Sequence, residues 1–126
     1  MSEFAANCPN DCPPAAAADV NGDIYRFVRA DPPVFEDMRS WEDDERKPGQ
    51  GDPCGRCALS VLTRAEDIPL ATKAIPFFRR LKVARAALKP EHGKICQEGK
   101  SRWHHNLWVR AAHGATIHQV FSVVTV

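Results

Sequence analysis

Four of the five cysteines fall in two close pairs, Cys8-Pro-Asn-Asp-Cys12 and Cys54-Gly-Arg-Cys57, in a chain of 126 residues. Two or three intervening residues allow both thiolates of a pair to bite one tetrahedral ion. Pro9, Pro13, Pro53 and Gly55 supply the tight turns that such a bite requires. A chain this short has a thin core, and small domains commonly need a staple. The spacing therefore predicts a structural zinc site on Cys8, Cys12, Cys54 and Cys57, with Cys96 or a histidine as a substitute ligand. Four thiolates leave no open position for water, so such zinc holds structure and performs no chemistry. Free thiols and disulfides are the alternatives. The start of the chain lacks the basic and apolar segments of a secretory leader, which predicts a cytoplasmic, reducing location and disfavours disulfides.

The 41 residues between Cys12 and Cys54 exceed the usual zinc-finger spacing. Residues 1–20 are accordingly expected to form a cysteine-bearing arm that returns to a loop of a single domain spanning 21–126. Apolar residues make up 44% and charged residues 26% of the chain, which excludes collagen-like, coiled-coil and wholly disordered classes. No apolar run approaches the roughly 18 residues of a membrane span, so no membrane partner is expected.

Ten prolines and seven glycines cut the chain into short pieces. Ile24–Val28 alternates and is rich in β-formers, with a turn signal at Asn21-Gly22 before it. A helix is expected to start after Pro32-Pro33 and run over Val34–Ser40. Trp41–Asp52 reads as an exposed loop and Ala58–Leu62 as a strand. Thr63 and Glu66 have capping-box spacing ahead of short helical pieces bounded by Pro69 and Pro76. Val83–Leu88 is strand or helix, Leu107–Val109 a strand, and Val120–Val126 the strongest β signal in the chain. The expected fold class is α+β, a small mixed or antiparallel sheet with short helices.

The net charge of +1 conceals a division. Residues 1–62 carry six basic and twelve acidic side chains, whereas residues 63–126 carry eleven basic and four acidic ones. The basic half contains Arg79-Arg80-Leu81-Lys82-Val83-Ala84-Arg85 and Lys100-Ser101-Arg102-Trp103-His104-His105. Cations interleaved with aromatics suit an acidic partner, nucleic acid or protein. The alternative is that the halves offset one another locally and that Trp103 or Trp108 is core. His104 and His105 are adjacent, so on a strand at most one of them enters a given site. A Gly-rich phosphate loop, a nucleophile elbow and a His-Glu-x-x-His helix are all missing from the sequence.

Ile24-Tyr25-Arg26-Phe27-Val28 with Asp31-Pro32-Pro33, Cys57–Leu62, the stretch ending at Pro76, and His105-Asn106-Leu107-Trp108 together resemble a group of small uncharacterised bacterial proteins. More remotely, the order resembles the ADP-ribosyltransferase-like fold. That family places an arginine on its first strand, then a serine on a strand leading into a helix; Arg26 and Ser60 take those positions. The resemblance implies that Arg26 helps hold NAD by its phosphates and that Ser60 supports the nicotinamide pocket. Leu59-Ser60-Val61 departs from the family's Ser-Thr-Ser. No Glu-x-Glu or Gln-x-Glu precedes the last strands, and Glu98 is the only acid after Glu91.

Two functions are expected from these features. The first is a small bacterial binding or accessory protein, defence- or toxin-associated, with a structural zinc and a basic C-terminal face. The second is an NAD-dependent ADP-ribosyltransferase-like toxin, or a degenerate relative that binds NAD without catalysis, with Arg26, Ser60 and His105 lining its pocket.

Overall fold

The structure, a computed structural model, describes residues 3–44, 51–99 and 101–125. Part of the Trp41–Asp52 segment, Lys100 of the second basic run and Val126 lie outside them.

The first strands are β1 (Ala18–Asp19) and β2 (Gly22–Val28). Gly22 sits at φ 138°, a backbone region that favours glycine and matches the Asn21-Gly22 turn signal. The segment after Pro32-Pro33 forms only a 3₁₀ turn, Phe35–Met38, followed by α1 (Trp41–Asp44) where a loop was expected. Helix α2 (Pro53–Arg56) carries Cys54, with Cys57 as its C-cap, and β3 (Leu59–Val61) follows shortly after. The capping box at Thr63 does not form. A 3₁₀ turn over Ala65–Asp67 opens at Arg64 without a side-chain cap, and Glu66 pairs with Arg64 at 3.4 Å instead. Helix α3 (Ile68–Ala74) takes Pro69 in its first turn, where the missing N–H is harmless. A 3₁₀ segment, Pro76–Arg80, leads into β4 (Lys82–Leu88), so this ambiguous stretch is strand.

Strands β5 (Gly93–Gln97) and β6 (His105–Val109) come next. The terminal β signal yields only β7 (Ser122–Val124), because Ile117–Val120 turns as a 3₁₀ helix.

Among the described residues the strands make two antiparallel sheets, ordered β1-β5-β6-β3 and β2-β4-β7. The fold is α+β, as its alternating and Pro-broken segments predict. A bridge between Tyr25 and Leu62, with reciprocal N–H···O bonds of 2.8 Å, joins β2 to the end of β3. Ile24, Val28, Ala84, Ala86 and Leu88 from one sheet meet Leu59, Val61 and Leu107 from the other. Met38, Ile117 and Phe121 close that core. The outer face of the smaller sheet is covered by α3 through Ile68, Ala71 and Val83.

The N-terminal arm lies along the larger sheet. Phe4 bridges to Arg110, Ala111 N donates to the Glu3 carbonyl, and β1 pairs with β5. No helix of the described residues is long and apolar enough to cross a membrane.

Candidate functional site

The two cysteine pairs converge as their spacing predicts. Asp52 caps α2 by accepting the Gly55 N–H at 3.1 Å, and Pro53 opens the helix. That turn presents Cys54 and Cys57 to Cys8 and Cys12 of the arm. The sulfurs are joined as disulfides Cys8–Cys57 and Cys12–Cys54, with Cα separations of 5.4 and 5.5 Å. Each bond crosses from arm to loop, and neither closes a pair on itself. The expected zinc-cysteine staple is therefore a disulfide staple here, since sulfurs bonded to each other are not thiolate ligands.

The two bridges are nonetheless in contact. Cys12 Sγ lies 3.8 Å from Cys57 Sγ, and the sulfurs of Cys8, Cys12 and Cys57 are all within 4.8 Å of one another. Phe4, Ala17, Ala58 and Trp108 pack around them. Trp108 is 3% exposed and its Nε1 donates to the Cys54 carbonyl at 2.9 Å. Cys96 is a free thiol that packs on the same cluster.

A second cluster sits at the seam of the sheets. Arg26 Nε donates to the Asp37 carbonyl at 2.9 Å, Nη1 to the Ser60 carbonyl at 2.8 Å, and Nη2 to the Arg39 carbonyl at 3.4 Å. The Asp37 carboxylate accepts the N–H groups of Arg29 (2.8 Å), Ala30 (3.4 Å) and Val34 (3.0 Å), which fixes the loop that supplies the Asp37 and Arg39 carbonyls. Ser60 stands exposed between buried Leu59 and Val61, so its side chain leaves the sheet on the opposite face from the core. There its Oγ lies 2.8 Å from His104 Nε2. Burial pulls the His104 imidazole below its usual value; the Glu98 charge opposes this and His105 adds to it.

Arg26 and Ser60, which the sequence paired, are thus brought together through the Ser60 backbone. His105 is not with them. It pairs in register with Val61 and Gln97, and its Nδ1 is buried without a hydrogen-bond partner among the described residues. His104 takes its place beside Ser60. The missed signal is register: Ser60 lies opposite Asn106, and His104, two residues earlier, shares the Asn106 side. Asn106 also lies opposite Cys96 and donates its amide to the Glu98 carboxylate.

The basic half contributes a series of exposed cations. Lys73, Arg79, Arg80, Lys82 and Arg85 are exposed, and none has an ion-pair partner among the described residues. Phe77, 45% exposed, lies under the Arg29 guanidinium at 5.5 Å. Trp108 belongs to the core, and half-buried Trp103 packs beside Leu62 and Ile68, so the second basic run offers no open pair of stacking rings. No family model, curated protein or solved structure matches the chain.

Proposed function

We propose that this chain binds NAD in the manner of the ADP-ribosyltransferase-like fold that it resembles, with Arg26, Ser60 and His104 at the binding edge, and without cleaving it. The observation that supports this reading is convergence. The arginine of β2 reaches the serine strand at 2.8 Å, and that serine meets an imidazole at 2.8 Å. The Arg26 guanidinium, already donating to the Asp37, Ser60 and Arg39 carbonyls, would offer a pyrophosphate its positive charge rather than an open fork. The Ser60 hydroxyl and a neutral His104 ring suit ribose hydroxyls. Transfer would further need a carboxylate to stabilise a cationic sugar. Opposite Ser60 on β6 stands Asn106, an uncharged amide committed to Glu98. The carboxylate beside His104 is that of Glu98, which accepts the Asn106 amide, and this engagement favours binding over glycosidic cleavage.

Calorimetric titration of the full chain with NAD tests this, with nicotinamide followed by chromatography. Saturable binding is expected, weakened about tenfold by Ser60→Ala, the worth of one good hydrogen bond. The absence of binding at millimolar NAD overturns the reading. Released nicotinamide overturns its non-catalytic part.

In the reduced chain the four arm-and-loop cysteines hold a structural zinc. Zinc–sulfur bonds of about 2.3 Å in a tetrahedron set sulfur–sulfur edges of roughly 3.8 Å. The unbonded Cys12–Cys57 separation is 3.8 Å. One equivalent of zinc is expected after purification under reducing conditions. Metal-free protein with every thiol titratable overturns it.

A second role is favoured by the exposed cations Lys73, Arg79, Arg80, Lys82 and Arg85, which have no ion-pair partner among the described residues. They suit an acidic partner, nucleic acid first, as expected of an accessory or defence-associated protein.

A further inference from the structure

The cysteine cluster has one property that a plain staple does not need. Both bridges run between arm and loop, and the sulfur of one is in contact with the sulfur of the other. Three of the sulfurs, those of Cys8, Cys12 and Cys57, lie within 4.8 Å of one another in the oxidised state, and Cys54 is bonded to Cys12, so the set is close enough for the thiolates to gather on one ion once the bonds open. Bonding within each pair would instead leave arm and loop unlinked. The scaffold around the sulfurs is common to both arrangements. Asp52 and Pro53 build the α2 turn, and Trp108 holds the Cys54 carbonyl from the sheet side.

We propose that Cys8, Cys12, Cys54 and Cys57 form a peroxide-responsive zinc switch, alternating between one zinc-tetrathiolate and the disulfides Cys8–Cys57 and Cys12–Cys54. The proposal rests on the zinc reading above. The chemistry balances with a peroxide as oxidant. In each half, one thiolate attacks a peroxide oxygen, the O–O bond breaks, and a sulfenic acid forms. The partner thiolate displaces its oxygen as water, and the S–S bond closes with two electrons lost per disulfide. Two peroxides and four protons from solvent leave as four waters, and the zinc ion, with no thiolates left, is freed. Thiol reductant and zinc reverse the change.

Arm and loop are tied in both end states, so the fold survives the switch. Only the reduced, metal-free chain loses the tie. The released ion and the state of the loop are then the signal, and the loop leads within three residues from Cys57 to Ser60.

The test uses the full chain, purified reduced and zinc-loaded. Peroxide is added in measured equivalents, zinc release is read with a chromogenic chelator, and disulfides are mapped by mass spectrometry. The expected result is one zinc released per chain at about two equivalents of peroxide. The bonds found should be Cys8–Cys57 and Cys12–Cys54, with Cys96 still a thiol. Cys96→Ser should release the same amount. Thermal melts should place the zinc-loaded and oxidised chains together, and the chain with both reductant and chelator lower by roughly 10 °C or more.

Zinc retained under excess peroxide overturns the switch and leaves the zinc reading standing. Release with bonds inside the pairs, or with sulfinic acids, does the same. Reduced protein that never takes up zinc overturns both.

Discussion

Asp37 is only 9% exposed, and its carboxylate accepts three backbone N–H groups while its own carbonyl takes Arg26 Nε. One residue thus organises the turn after β2 and holds the arginine that touches β3. Losing it leaves buried donors unmatched, which is costlier than losing a bond at the surface. Asp37→Ala should lower stability by about 2–3 kcal/mol in urea unfolding. Asp37→Asn, which keeps one acceptor oxygen, should lose less. Equal losses for the two would show that the acceptors are not what matters.

His104 gives a pH dependence with a definite sign. Its folded value lies below the unfolded 6.5, chiefly through burial. The unfolded chain therefore binds the proton more readily, and stability rises with pH. The contribution is complete above the unfolded value and declines as pH falls from 6.5 towards the folded one. His104→Gln should flatten that part of the stability profile relative to wild type. An unchanged slope would place the titration elsewhere. Sequence alone showed that only one of His104 and His105 could serve a given site. The sequence pointed to His105, whereas His104 is the one beside Ser60, because the choice is made by the register of β6 on β3, a non-local pairing.

At the scale of elements, alternation was legible where a strand has one buried and one open face. Strand β3 is of this kind, with Leu59 and Val61 turned inward and Ser60 open; β2 turns Ile24 and Val28 inward while Tyr25 and Phe27 pack towards α3. Strand β5 was not legible. Gly93-Lys-Ile-Cys-Gln has a single β-branched residue, and pairing to β1 and β6 on its two sides makes it a strand. The Val120–Val126 run had the opposite fate, strong local preference shortened by a 3₁₀ turn that buries Ile117 in the core.

Gly93 exposes what holds β5 in place. A Cβ there would stand 2.1 Å from the Trp108 carbonyl oxygen, a backbone atom that cannot step aside without moving β6. Gly93→Ala should therefore destabilise by about 2–3 kcal/mol, as overpacking does, despite removing no contact. Trp108 fluorescence should shift with it, since the same backbone carries the ring beside the cysteines. A change under about 0.5 kcal/mol, typical of surface sites, would mean that β5 and β6 separate freely.

Across the whole molecule, the charge division and the cysteine convergence were both readable, but their geometry was not. Some of the acidic half is offset locally by the basic half, as Arg110 reaches Glu3 and Asp19 and Lys94 reaches Asp19. What remains are five exposed cations, Lys73 on α3, Arg79 and Arg80 before β4, and Lys82 and Arg85 on β4, with no ion-pair partner among the described residues. A single-stranded nucleic acid lying on five cations would release counterions in proportion, about 0.7 per phosphate neutralised. The logarithm of affinity should then fall against the logarithm of salt with a slope of roughly −3.5. Replacing Arg79 and Arg80 together by glutamate should reduce that slope by at least about 1.4, since two contacts vanish and like charge enters. Fluorescence anisotropy with a labelled oligonucleotide measures both. Affinity that ignores salt, or survives the double reversal, assigns these cations to an acidic protein or to solvation.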